Sequence, residues 1–381
     1  MRSLFLCALL PFIFSSCRSE KAKDVNIEVI TVKEFDENQK NEFYDYFDSQ
    51  KLISLQTNKE SIIGRVDRII MGQNRIYILD RQSKSILVFN DSGGFEYKVH
   101  NIGKGLGEYL SLMDFTLDET KQQLIVHTDR PGKFIYYNLN GKFISEKKIK
   151  TFFLNLSSWK DNLILLPPSK MKNRVLIKNS ITKEDKEYLP SSKTADLFRN
   201  IRMAKPQIVK SKFPYVTFAY CDTVFQFHNN SLKPKYRLDF GKKNLPEELL
   251  IDPTIKPTQI LKLASENDYG FGISDFREND SLITFSFGRN IVLYSKRTKK
   301  ATTFRGLYNP RDFMHFYNYF AHDGDDNSII SLYQAKNFIR QMEFYEKDPT
   351  IWKNISEENK KIYRSLDSLS NPLLLICKLK N

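Results

Sequence analysis

A run of short apolar segments that recurs along the chain is the feature that most limits how it can fold. The stretch "GRVDRIIMGQNRIYILDRQSKSILVFNDSGGFEYKVH" divides into four strand-like pieces, at 66–70, 75–79, 85–89 and 95–99. Turn chemistry separates them, with Gly, Asn, Asp and Ser collected at 72–74, 81–84 and 91–94. The pieces are nearly continuous in apolar character, which predicts sheets covered on both faces. The pattern returns in "MDFTLDETKQQLIVHTDRPGKFIYYNLNGKFISEKKI", where Asp129 after "LIVHT" repeats Asp80 after "IYIL" at a distance of 49 residues. Gly94-Phe95 likewise finds its counterpart, one residue offset, in Gly141-Lys142-Phe143. A four-stranded unit at this period is the signature of a β-propeller blade.

Four further units keep the cadence. "NLILL" with "RVLIKNSITKEDKEYL" supplies a third blade, "YVTFAYCDTVFQFHNNSLKPKYRLDFG" a fourth and "GISDFRENDSLITFSFGRNIVLYSKRTKKATTF" a fifth. The last begins after Tyr308 and takes in "NSIISLY" and, well downstream, "PLLLICKLK". Between those two strands a helical insertion is expected, N-capped by Ser356, with Ile362, Leu366 and Leu369 as its apolar stripe and Asn371-Pro372 as its stop. A second helical excursion is expected around 246–264. Six units close into a ring if "KLISLQT", residues 51–57, completes the last blade, which also removes an exposed sheet edge. The 29 Phe and 19 Tyr agree with an all-β chain.

The N-terminus sets the compartment. "MRSLFLCALLPFIFSSC" carries Arg2, an apolar run too short to span a bilayer, then Ser15, Ser16 and Cys17. It reads as a cleaved signal peptide, 1–16, and its ending resembles a bacterial lipobox, whose cysteine is lipidated and becomes the mature N-terminus. Residues 17–50 are then a lipidated start and tether, with a first strand near 27–32, and 51–381 the propeller. Cys221 and Cys377 sit in apolar contexts and read as buried thiols. The formal charge of +14 is spread over separate segments such as "SEKKIK" and "YSKRTKK". With no single basic helix or run, it reads as a solvated basic surface, and no nucleic-acid partner is expected.

Taken in order, "IGRVDRI", "IYILD", "ILVFNDSG", "IGKGLGEY", "DTVFQF", "KPKYRLDFG" and "NPLLLICKLK" resemble the six-bladed β-propeller lipoproteins of Bacteroidota, which are NHL-like in architecture. The resemblance covers nearly the whole mature chain and implies an outer-membrane lipoprotein of the cell envelope, with no established activity. Where that family reads G-x-G-P-G-E-Y, this chain has Gly103-Lys104-Gly105-Leu106-Gly107-Glu108-Tyr109, with Leu106 in the proline position.

That glycine stretch also invites a nucleotide reading, which its spacing refuses. A dinucleotide loop needs G-x-G-x-x-G leading into a helix and a P-loop needs Gly-Lys-Ser/Thr, whereas here Gly107 precedes Glu108 and a strand. Gly103, Gly105 and Gly107 are expected to turn the chain between blades. Glu108, Tyr109 and Asp114 then lie near the next innermost strand, where they could line the channel or, more simply, satisfy hydrogen bonds. "HDGDDNS", 322–328, does not fit a calcium loop and reads as a hairpin turn. The five histidines lack metal spacing, and His127, inside a strand, reads as a packed side chain. No G-x-S-x-G elbow is present. No cofactor and no metal are expected.

The resulting expectation is a monomeric, lipid-anchored propeller that binds a glycan, a peptide or an envelope protein on its loops. The alternatives are a polysaccharide lyase or glycoside hydrolase with its site at the channel mouth, and a structural lipoprotein supporting an envelope complex. A tight cluster of Tyr, His, Arg and carboxylates at one channel mouth would mark the enzyme. Expressed in a Gram-negative host, the wild-type chain is expected to incorporate labelled fatty acid and sediment with membranes. Cys17→Ala should lose both, and retained acylation in that variant would overturn the lipobox reading.

Overall fold

The chain folds as a six-bladed β-propeller whose blades follow the expected units in order. The computed structural model describes residues 27–36, 42–168, 171–192, 206–252, 254–311, 313–317, 319–320 and 322–380. The signal segment and Cys17 lie outside the described residues. From the axis outward, the first blade is Arg68–Gly72, Arg75–Asp80, Ser85–Asn90 and Phe95–Val99. The second is Asp114–Asp118, Gln123–Asp129, Gly132–Asn138 and Phe143–Lys148, and the third Asn155–Trp159, Asn162–Leu166, Asn173–Asn179 and Asp185–Pro190. The fourth is Ile208–Lys210, Pro214–Val216, Thr223–His228 and Ser231–Asp239, and the fifth Ser274–Glu278, Leu282–Phe287, Asn290–Ser295 and Lys300–Phe304. The sixth joins Tyr319–Phe320, Ser328–Tyr333 and Leu373–Leu379 to the N-terminal strand Phe47–Ser54.

Period-two alternation explains why the strands read as unbroken apolar runs. In Arg75–Asp80, Ile76 and Ile78 pack with Ile330 and Leu374 of the sixth blade. Tyr77 and Leu79 turn the other way and pack with Leu117 and Leu124 of the second. Each face of the sheet meets a neighbouring blade, so both residue sets must be apolar. Turns obey local chemistry as well. Gln73-Asn74 and Asn229-Asn230 are two-residue hairpin loops with all four residues at positive φ, the backbone that matches strand twist and that Asn tolerates.

Ring closure is antiparallel pairing of Phe47–Ser54 with Leu373–Leu379. A clasp beside it explains Asn371, expected only as a helix stop. Its buried side chain donates to the carbonyls of Gln56 (2.9 Å) and Ser61 (2.7 Å) and accepts from the Ile63 N–H (2.9 Å). The strand Glu28–Thr31 pairs in parallel with Ser231–Asp239 and covers the outer edge of the fourth blade.

Helices fill the long connections. Glu247–Ile251 and Pro257–Glu266 lie between the fourth and fifth blades. The sixth blade carries Ala335–Glu346, Pro349–Trp352 and Glu357–Ser365 between two of its strands. Ser356 caps the last of these, its Oγ accepting from the Asn359 N–H at 3.2 Å. Ile362 and Leu366 pack on the core, but Leu369 lies beyond the helix end and is 83% exposed, so the expected stripe stops at Leu366. Among the described residues no helix is long and apolar enough to cross a membrane.

The closing strand should be costly to loosen. Phe47 is fully buried between Phe43 and Phe316. Phe47→Ala is expected to lower unfolding free energy by about 3–5 kcal/mol in a urea titration. Val29→Ala, at an exposed position of the added edge strand, should change it by less than about 1 kcal/mol.

Candidate functional site

At the axis, polar side chains from the inner strands meet. Arg68 of the first blade donates from Nη1 to Asp114 Oδ2 of the second (2.6 Å) and from Nη2 to Asp323 Oδ2 (2.7 Å). Asp114 Oδ2 also accepts from Asn155 Nδ2 (3.2 Å) and the Leu156 N–H (2.9 Å) of the third blade. Asp323 Oδ1 accepts from the Lys210 N–H of the fourth at 2.8 Å. Arg277 of the fifth donates to the carbonyls of His322 and Asp325. Five blades, and the segment that leads into the sixth, are therefore tied at the centre.

Burial opposes the charge on Arg68, but the two carboxylates more than offset it and hold the guanidinium above its ordinary pKa. Burial, with Arg277 adding to it, keeps His322 neutral. Around Glu278, Tyr215 and Tyr236 donate to the carboxylate and Lys296 pairs with it; burial first, then Glu278, pushes both phenols up. This is the cluster of Tyr, His, Arg and carboxylates sought as an enzyme's mark. Its members are buried in two separate groups, one around Arg68 and one around Glu278, and among the described residues Asp114 Oδ1, Arg277 Nε and His322 Nδ1 meet no hydrogen-bond partner.

The segment "HDGDDNS" does more than turn. His322–Asp323 pairs in parallel with Ile69 and Ile70 of the first blade, so the chain crosses between blades before entering Ser328–Tyr333. Gly324 is at φ +116 with its α-carbon against the Met71 carbonyl, where a side chain would collide. Burial raises Asp326 to about 6. No group of three or more His, Cys, Asp or Glu suited to a metal occurs among the described residues.

The glycine loop joins the first two blades. Glu108 folds back so that Oε2 accepts from the Gly105 N–H at 2.8 Å, and a Cβ on Gly103 would collide with that carboxylate. Gly107 is at φ +71, and a Cβ there would stand 2.8 Å from the Phe143 ring. Its N–H donates to Glu146 (2.9 Å) and its carbonyl accepts from Tyr137 Oη (2.6 Å). Tyr109 is fully buried with its hydroxyl within reach of the carbonyls of Lys84 (3.0 Å) and Val99 (3.1 Å). Glu108 and Tyr109 thus hold the loop, Asp114 stands at the axis, and the structure does not bring the three into one site. Burial drives His127 down to about 4; its Nε2 accepts from the Phe153 N–H at 2.8 Å, so the ring is neutral.

An accessible cavity lies elsewhere, between the second and third blades. Among the described residues this interface buries five apolar side chains, Ile125, Phe134, Phe153, Leu156 and Leu165, where the other five interfaces bury from nine to twenty-one. The gap left open is a cleft of about 500 Å³. Register shows why lysines border it. Lys147 stands directly opposite Phe134 in the second blade, and Lys178 directly opposite Leu163 in the third, so each shares the inter-blade face of its apolar partner. Lys121, Lys148, Lys150, Lys160 and Lys183 complete the basic rim, with Asp118, Asp161 and Asp185 among the lining acids. These lysines come from two strands, Phe143–Lys148 and Asn173–Asn179, from three separate turns and from the connection at Lys150. Sequence reasoning treated "SEKKIK" as solvated surface because nothing in linear order joins it to Lys160, Lys178 and Lys183.

Fold and geometry define a six-bladed β-propeller with a sealed axis and an open inter-blade cleft. Residues 27–378 match the family described as Domain of unknown function (DUF4934), and the chain belongs to that family. A candidate exported protein from Bacteroides fragilis has the same fold, with TM-score 0.70 and 18% identity over 93% of this chain and 100% of that one. A DUF4221 family member from Bacteroides vulgatus aligns with TM-score 0.48 and 8% identity, covering 88% and 97% of the two chains. A streptogramin B lyase aligns with TM-score 0.43 and 10% identity over 76% and 82%. No protein of curated function matches the sequence.

Removing Arg68 leaves Asp114 and Asp323 buried without their shared cation. Arg68→Ala is expected to destabilise the fold by about 3–5 kcal/mol in chemical denaturation.

Proposed function

We propose that this chain is an exported binding module of the cell envelope, lipid-anchored through Cys17, which holds a glycan in the cleft between its second and third blades. The observation that carries the reading is the cleft itself. Its volume falls in the range of small-ligand sites, its wall is apolar and aromatic, and its rim is polar and charged. The lipobox-like N-terminus and the exported character of the Bacteroides fragilis relative support export. The likeness to NHL-like lipoproteins of Bacteroidota belongs to the same reading. A rigid ring with a ligand held between blades suits recognition, since the scaffold is preorganised and little ordering is needed on binding.

A second reading, a polysaccharide-cleaving enzyme at the channel, draws on the axial cluster of Arg68, Asp114, Arg277, His322 and Glu278. Against it stands their burial, because a substrate would have to part the packed inner strands before touching any of them.

The test is a glycan array probed with the chain from Arg18 onward, followed by product analysis of each bound glycan. Retention of a glycan without shortened products supports the binding reading. Release of shortened products would instead establish the enzyme, and silence across the whole array would remove the glycan.

A further inference from the structure

Resting on that reading of the cleft as a glycan site, we propose that its occupant is polyanionic, a glycan bearing carboxylate or sulfate groups. The observation is an unbalanced charge in a confined place. Of the seven lysines that line the cleft, Lys121 pairs with Asp118 at 3.5 Å and Lys178 pairs with Asp185. Among the described residues, Lys147, Lys148, Lys150, Lys160 and Lys183 have no carboxylate within ion-pair distance. Lys148 follows Lys147 on its strand and shares the opposite face with Glu146, and Asp161 lines the cavity too, so six lysines stand against three aspartates around about 500 Å³, an excess of three positive charges.

Such groups repel one another over separations comparable with the Debye length of about 8 Å at physiological salt. A neutral ligand leaves that repulsion in place, whereas an anionic one relieves it and is drawn in by the same field. The low-dielectric wall behind the lysines, Ile125, Phe134 and Phe153, weakens screening on that side. Tyr136 adds a half-buried ring whose hydroxyl stays neutral, burial and then Asp118 raising its pKa. A sugar ring can therefore pack its C–H face on an apolar surface while its acidic substituents reach the rim.

The geometry also accounts for the lysines' place in the fold. Lys147 and Lys178 stand on inter-blade faces, opposite Phe134 and Leu163, where an apolar residue would extend the blade contact. At Lys147 the chain instead carries a cation with no carboxylate partner among the described residues, and at Lys178 one that pairs with Asp185.

The experiment is isothermal titration calorimetry on the chain from Arg18 onward, with four probes: tetragalacturonate, its full methyl ester, a heparin-derived tetrasaccharide and a tetraglutamate peptide. At least one acidic oligosaccharide is expected to bind roughly tenfold or more tighter than the ester, and to weaken as salt is raised. Which acid binds tighter separates carboxylate from sulfate recognition. The variant carrying Lys147→Ala, Lys150→Ala and Lys160→Ala should lose roughly tenfold or more in affinity with its thermal unfolding curve unchanged. If the ester binds as tightly as the acids, the charge inference is overturned while the glycan reading stands. If the threefold variant binds the acids as wild type does, the cleft assignment is overturned. Tetraglutamate binding tighter than both acidic sugars would overturn the glycan in favour of an acidic peptide. Failure of every oligosaccharide, the ester included, would remove the glycan reading along with the inference.

Discussion

The pairing of Phe47–Ser54 with Leu373–Leu379 brings a strand from near the start of the chain into the same sheet as its last strand. Each of the six blades buries both faces against neighbours, so an open ring would expose two apolar faces at once. Closure removes that exposure, and Asn371 fastens it by meeting the backbone of Gln56, Ser61 and Ile63. The inter-blade cores and the geometry of the cleft all presuppose a ring that has shut.

The axis is the complementary constraint. Inner strands converge where there is room for side chains but not for six apolar rows, and the chain fills the space with ions and amides. Arg68 is shared between Asp114 and Asp323, and Arg277 spans the carbonyls of His322 and Asp325. Buried ion pairs contribute little net stability against apolar replacements, yet losing one partner strands the other in low dielectric. Their directional bonds join specific blades, which apolar contact alone would not distinguish. The same residues are buried, and the inter-blade cleft lies off the axis.

Much of the architecture was legible in the chain. Asp80 and Asp129 mark the same position at the end of second strands, and "KLISLQT" lies at the closing strand, which begins earlier, at Phe47. Local pattern suffices there, because a blade is built from neighbours in sequence. Loop contents were less legible. "HDGDDNS" reads as a turn, but its first two residues bridge to the first blade, a pairing set by the proximity of the sixth blade to the first. Leu369 continues a helical period on paper, yet Leu366 already leaves the helix and the period has no helix to act on. The cleft was invisible, since Lys121, Lys147, Lys160 and Lys178 belong to two strands and two turns that only blade packing brings together.

By itself, then, the amino-acid order determined a repeating four-stranded unit, six copies of it and a strand reserved for closure, because alternation and turn chemistry act over a few residues. Tertiary structure alone decided which charges are buried and which are offered. Asp114 became the partner of a guanidinium 46 positions away, and Lys147 became part of a cationic rim completed from the next blade. The physical reason is that the environment of a charge depends on neighbours in space, and in a propeller those neighbours come from other blades.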